Sequence, residues 1–131
     1  MDIEVFFEGK KGVNAKVRNH IVKTDQPVNG GGDDNAVTPF ELFLASLATC
    51  AGIYVKGFCD QRGIATEGIS IVQKHEFDAK GMATLIRLEI RVPKDFPEKY
   101  VESLIAVAGL CKVKQHFAAP PAIEVTSVME A

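Results

Sequence analysis

The run from Thr38 to Arg62, TPFELFLASLATCAGIYVKGFCDQR, constrains this chain more than any other stretch. It opens with residues that start a helix. The Thr38 hydroxyl can accept from a free first-turn N–H, Pro39 has no N–H to leave unpaired, and Glu41 three positions after Thr38 completes a capping box. From there to Phe58 nearly every position is apolar or small, with Leu42, Phe43, Leu44, Leu47, Ala48, Ile53, Tyr54 and Val55 on all sides. A surface helix carries one apolar stripe, whereas a helix apolar all round must be surrounded. At roughly 1.5 Å per residue it would be about 36 Å long, as wide as a small domain. Gly63 supplies the stop. The expectation is a buried central helix with Cys50 in its middle. The rest of a 131-residue chain is too little to enclose it. A homodimer that buries the helix against its symmetry mate through an isologous interface is therefore expected.

Around this helix the pattern is that of strands and one further helical region. IEVFFE (3–8) places Ile3, Val5 and Phe7 on one face; Lys10, Lys11 and Gly12 turn the chain; Val13, Ala15 and Val17 resume the alternation, and His20 to Thr24 makes a third short strand. DQPVNGGGDDNAV (25–37) is a loop that delivers the chain into the helix. Its glycines lack the spacing and the βαβ setting of a dinucleotide site, and Asp33 and Asp34 lack the further oxygen ligands of a cation site. Gly68–Phe77 and Met82–Val92 read as a hairpin across Asp78–Gly81. In its second strand Ile86, Leu88, Ile90 and Val92 face inward, while Arg87, Glu89 and Arg91 face water. Asp95 and Glu98 suggest another capping box. It opens a helix whose packed face, Val101, Leu104, Ile105 and Ala108, extends to Cys111 and ends among Lys112, Lys114 and His116. Ile123–Thr126 would be a closing strand beyond Pro120 and Pro121. With no repeat and no linker, the expected architecture is one α+β domain over residues 1–131.

Composition bounds the function classes. A formal net charge of -2 offers nothing to nucleic acid, and the 47% hydrophobic content is that of an ordinary soluble domain. The apolar run is expected to be interrupted short of a membrane span, and the N-terminus alternates like a strand rather than a signal peptide. Three cysteines without a secretory signal point to a reducing, cytoplasmic setting in which disulfides are transient.

Those cysteines carry the chemistry. Cys50 and Cys111 lie on two apolar helices, each on the face expected to point inward. If the faces meet, the pair can cycle between dithiol and disulfide. One thiolate attacks a peroxide and becomes a sulfenic acid, which the second thiol condenses into a disulfide. The attacking thiol must be ionised, and Cys50 lies too far inside its helix to gain much from the N-terminal dipole. The candidate cations are Arg18, Lys10 and Lys11 in the N-terminal strands. Cys59, nine residues after Cys50, is expected on the opposite side of the helix in a structural role. The Cys111/His116 spacing lacks a second ligand pair, so no metal is expected.

The segment TPFELFLASLATCAG, the downstream helix carrying Cys111-Lys112-Val113 and the order of strands and helices resemble the OsmC/Ohr family, most closely its short OsmC-like members. The resemblance implies an α+β fold built as an intertwined homodimer, with central helices back to back and sheets wrapped round them. It implies oxidative-stress defence by thiol-dependent reduction of organic, and in some members inorganic, hydroperoxides. Cys50 would be peroxidatic and Cys111 resolving, with no bound cofactor and an external dithiol reductant such as dihydrolipoamide. The hydroperoxide-resistance branch places a catalytic glutamate directly after the helix-opening proline, where this chain has Phe40. Glu41 is one residue, about 100°, further round, and capping is its expected role. The branch's hairpin arginine is replaced here by Lys10 or Lys11, with Arg18 a less direct substitute, and a lysine lacks the planar fork for a bidentate network. The alternative function is a non-catalytic dimer that holds an apolar small molecule or acyl chain beside Cys50, lined by Phe40, Phe43 and Tyr54.

Overall fold

The computed structural model describes residues 1–130. Its elements in chain order are β1 (Ile3–Glu8), β2 (Gly12–Val17), β3 (His20–Thr24), a 3-10 turn (Val28–Gly30), α1 (Pro39–Gln61), β4 (Ser70–Phe77), β5 (Ala83–Arg91), a second 3-10 turn (Glu98–Tyr100), α2 (Val101–Ala108) and α3 (Lys112–Ala118). The fold is mixed α+β, and its contacts gather in two compact units, Met1–Ser46 and the chain from Leu47 onward.

In the first unit β1, β2 and β3 form an antiparallel meander. Its register sets Ile3 opposite Val17, Val5 opposite Ala15 and Phe7 opposite Val13, so the alternating apolar residues share one face as the pattern requires. That face is bare within the chain: Phe7 is 82% exposed. The loop that follows is closed by one carboxylate. Asp25 accepts from the Gln26 N–H at 2.8 Å and the Asn35 N–H at 3.1 Å. The Asn35 N–H foremost, with that of Gln26, holds its carboxyl below the usual range. A side chain at Gly32 would run into the Gln26 carbonyl, which explains one glycine of the triplet. The chain then enters α1 through the expected capping box, with the Glu41 N–H donating to Thr38 Oγ1 at 3.2 Å and the Thr38 N–H to Glu41 Oε1 at 3.0 Å.

In the second unit α1 buries the stripe Leu47, Ala51, Val55, Phe58 and Cys59. Alternate residues of the β4–β5 hairpin pack on that core, among them Ile71, Leu88 and Ile90, together with Phe96, Leu104 and Ala108. The helix stops where Gly63 takes a φ of +65°. The Ile64 N–H then returns to the Cys59 carbonyl at 2.9 Å and the Gly63 N–H to that of Asp60 at 3.3 Å.

Five expectations are corrected. The helix is not surrounded: Ile53 is 65% exposed, because one chain supplies neighbours for one stripe only. By length and composition α1 is sufficient to cross a membrane, since its charges fall toward its ends. What distinguishes it is that its buried stripe forms the core of an α+β unit. The second helical region breaks at Gly109–Leu110 and restarts as α3. It is entered through a 3-10 turn behind Pro97, with no side-chain cap, so the Asp95/Glu98 box does not form, and Ile105 lies outside the buried row. Cys50, expected to face inward, lies beside the buried stripe and is partly exposed, whereas Cys59, on the opposite side, is 0% exposed in the core, in the structural role expected of it. Finally, Ile123–Thr126 forms no strand, and Ile123 is 85% exposed; β-branched residues without a neighbouring edge to pair with make no ladder.

Glu41→Gln should keep the box but lose the charge that complements the helix N-terminus, lowering stability by roughly 0.3–1 kcal/mol. A chemical denaturation series measures this, and an unchanged midpoint with loss of thiol reactivity would reassign Glu41 to catalysis. Leu104, 1% exposed at the centre of the second unit, is the residue whose truncation should cost most. Leu104→Ala is expected to lower unfolding free energy by about 2–5 kcal/mol.

Candidate functional site

The site is made where the core row of α2 overshoots its helix. Val101, Leu104 and Ala108 face the core; Gly109 and Leu110 end the helix, and the next residue on the same side is Cys111, 1% exposed. Cys111 is also the cap of α3, its sulfur accepting from the Lys114 N–H at 3.4 Å. On α1 Cys50 lies beside the buried stripe and is partly exposed. Cys50 is the neighbour that acts on the Cys111 thiol from α1, and both are free thiols. Burial pushes the Cys111 thiol above its ordinary range, the Lys114 N–H and ammonium draw it back, and the Cys50 contact raises it again.

A cavity of about 580 Å³ opens against Cys111, lined among others by Leu47, Ala51, Leu88, Ile90 and Lys114. Its walls are mostly apolar. Glu89 on β5 also lines it, with its carboxylate paired to Lys74 at 3.0 Å and Arg91 at 3.5 Å. The Lys74 hydrogen bond holds Glu89 below the usual carboxylate range.

Glu41 is the α1 cap described above. Lys11 is exposed in the β1–β2 turn; Arg18 is exposed at the tip of the β2–β3 turn, in the left-handed region at φ +53°. Lys10 pairs with Asp33 at 3.5 Å. All four belong to the first unit, whereas both thiols belong to the second. Phe40 and Phe43 stack on one another with centroids 5.9 Å apart. Tyr54 lines a different cavity, of about 640 Å³, with Ile53, Phe58 and Val107. The Cys59 thiol is raised by burial and then by Asp60, as suits a core residue. Among the described residues no group of three or more His, Cys, Asp or Glu side chains is arranged to hold a metal ion.

Lys114 is the residue that the sequence reading placed wrongly. As the tail of a continuous helix it would merely complement a C-terminus. The break at Gly109 puts it instead in the first turn of α3, where its N–H and its ammonium both act on Cys111. The signal available was Gly109 itself, a residue that ends helices more readily than it continues them.

The family model for OsmC-like proteins matches residues 31–126. Among curated proteins, none matches the sequence. Solved structures superpose over most of the chain. A protein from Psychrobacter arcticus 273-4, described as an osmotic stress induced and detoxification response protein, is 21% identical, with 86% of this chain and 85% of that one covered at a TM-score of 0.74. An OsmC-like protein from Mycoplasma pneumoniae is 13% identical, covering 91% and 87% at 0.72. An organic hydroperoxide resistance protein OsmC from Legionella pneumophila is 18% identical, covering 88% and 87% at 0.54. At these identities the structures speak for the fold, and the family model speaks for descent: the chain belongs to the OsmC-like family.

Proposed function

We propose that this protein is a thiol-dependent peroxidase that reduces organic hydroperoxides through a dithiol–disulfide cycle of Cys50 and Cys111. The observation that carries the reading is the proximity of two free thiols, Cys50 acting on Cys111, next to a mostly apolar cavity lined by Cys111. Cys50 is the more exposed of the pair and is therefore the attacking thiol. Its thiolate attacks the outer peroxide oxygen, the O–O bond breaks, and the alcohol leaves with a proton. Cys111 then attacks the sulfenic sulfur, the S–O bond breaks, and water leaves as the disulfide closes. An external dithiol restores both thiols by two exchanges and is itself oxidised to a disulfide, which places the protein in a reducing compartment such as the cytoplasm. The Legionella neighbour, described as an organic hydroperoxide resistance protein, supports the substrate class.

The working form we propose is a homodimer. The apolar sides of α1 around Ile53 and of the meander around Phe7 are bare in one chain, and a second copy provides complementary faces for both. Sedimentation at micromolar concentration should show twice the mass of one chain; a stable monomer would refute the assembly.

Cumene hydroperoxide in small excess should remove two hydrogens from the intact mass of the parent protein. Cys111→Ser should gain one or more oxygens, because its sulfenic acid has no resolving thiol, and Cys50→Ser should not change. Cys59→Ser should match the parent. An intramolecular disulfide persisting in Cys111→Ser would make Cys59 the partner. A parent protein inert to hydroperoxide would sink the reading and leave a binding role for the apolar cavity.

A further inference from the structure

Both Cys111 and Lys114 line the cavity, and Lys114 bears on the thiol with its backbone and with its charge. Its backbone N–H donates at 3.4 Å. Its side chain folds back over Gly109, so that Nζ lies 3.5 Å from where a Cβ at that position would stand. We infer that Lys114 is a positioning residue for the second step of the cycle, its ammonium ionising Cys111 when that thiol must attack the sulfenic sulfur of Cys50. The inference rests on the peroxidase reading for its place in the reaction, while the coupling of Lys114 to Cys111 rests on the N–H bond to the sulfur, the shared cavity and the fold of the side chain over Gly109.

The charged and titratable groups facing Cys111 leave that role to Lys114. From α1 the neighbour is Cys50, which becomes a neutral sulfenic acid once oxidised. From β5 it is Glu89, whose negative charge is already compensated by Lys74 and Arg91. On α3 the His116 Nδ1 is engaged with the Lys112 carbonyl at 2.7 Å. A thiol enclosed as Cys111 is ionises poorly, and ionisation is required for attack. In the step itself Cys111 gives its proton to solvent, its sulfur forms the S–S bond, and the departing hydroxide takes up a proton to leave as water. The adjacent cation favours the thiolate before the attack and is not consumed by it.

The test separates the two oxidation steps in a rapid-quench series with one equivalent of cumene hydroperoxide, read by intact mass from pH 6 to 9. Lys114→Met should leave oxidation of Cys50 unchanged within about twofold. It should slow disulfide closure roughly threefold at pH 7, the order of effect of one solvent-exposed charge in the same cavity. Its closure profile should move to higher pH and meet the parent's at the alkaline end, where the thiol ionises unaided and a more basic thiolate is the better nucleophile. Lys114→Arg, which keeps the charge, should restore the parent profile. Equal closure at every pH, slowing that is uniform in pH, or failure of arginine to restore would each overturn the inference. A second measurement does not involve peroxide. In a Cys50→Ser/Cys59→Ser background the thiolate absorbance of Cys111 should titrate at higher pH with Lys114→Met than with Lys114 or arginine. An unchanged midpoint overturns the coupling. A shifted midpoint in a protein inert to hydroperoxide upholds the coupling and overturns the peroxidase reading instead.

Discussion

The packing of Leu47, Ala51, Val55, Phe58 and Cys59 against the β4–β5 hairpin and α2 is the constraint on which the second unit depends. Each large side chain in that stripe removes apolar surface from water at about 1.5–3 kcal/mol when fully buried. No other set of residues in the unit is as continuous. The stripe fixes the rotation of α1, and the rotation decides what each cysteine on it can do. Cys59 falls within the buried arc and is sealed; Cys50 falls just outside it and keeps partial access to solvent. The difference between an inert and an accessible thiol on one helix is thus a matter of phase.

The second thiol is fixed by where α2 stops. A helix continued through residue 111 would keep the row Leu104, Ala108, Cys111 but would bury the Cys111 sulfur without a donor. Ending at Gly109 frees the backbone of the next helix's first turn, and the orphan Lys114 N–H turns to the sulfur. Core packing brings Cys111 inward, and helix termination gives it its only backbone donor among the described contacts.

Much of this was legible. The capping box at Thr38 and Glu41, the Gly63 stop, the meander register and the inward set on β5 follow from periodicity and end signals, which are local. Cys50 and Cys111 were both expected to face inward; Cys111 does, and Cys50 lies at the edge of the buried stripe. The errors have one physical source, the neighbours a segment finds. The apolar wrap of α1 implied enclosure that one chain does not provide, and Ile123–Thr126 has strand-forming residues but no edge. Cys59 was expected opposite Cys50 in a structural role, and it is sealed in the core; it was Cys50 that was expected to face inward, and the core lies toward Cys59 instead. Lys114 was hidden by an unseen helix break.

Burial and reactivity pull Cys111 in opposite directions, and that opposition suits a resolving thiol. Desolvation disfavours its thiolate, so it does not compete with Cys50 for peroxide and is guarded against over-oxidation. Cys50, its neighbour, also raises the Cys111 thiol. Oxidation of Cys50 to a sulfenic acid turns that neighbour into the electrophile, while the Lys114 ammonium still favours the Cys111 thiolate. On the proposed cycle the resolving thiol is therefore held back by burial while Cys50 meets the peroxide, and the adjacent cation favours its attack on the sulfenic sulfur once the first step has occurred.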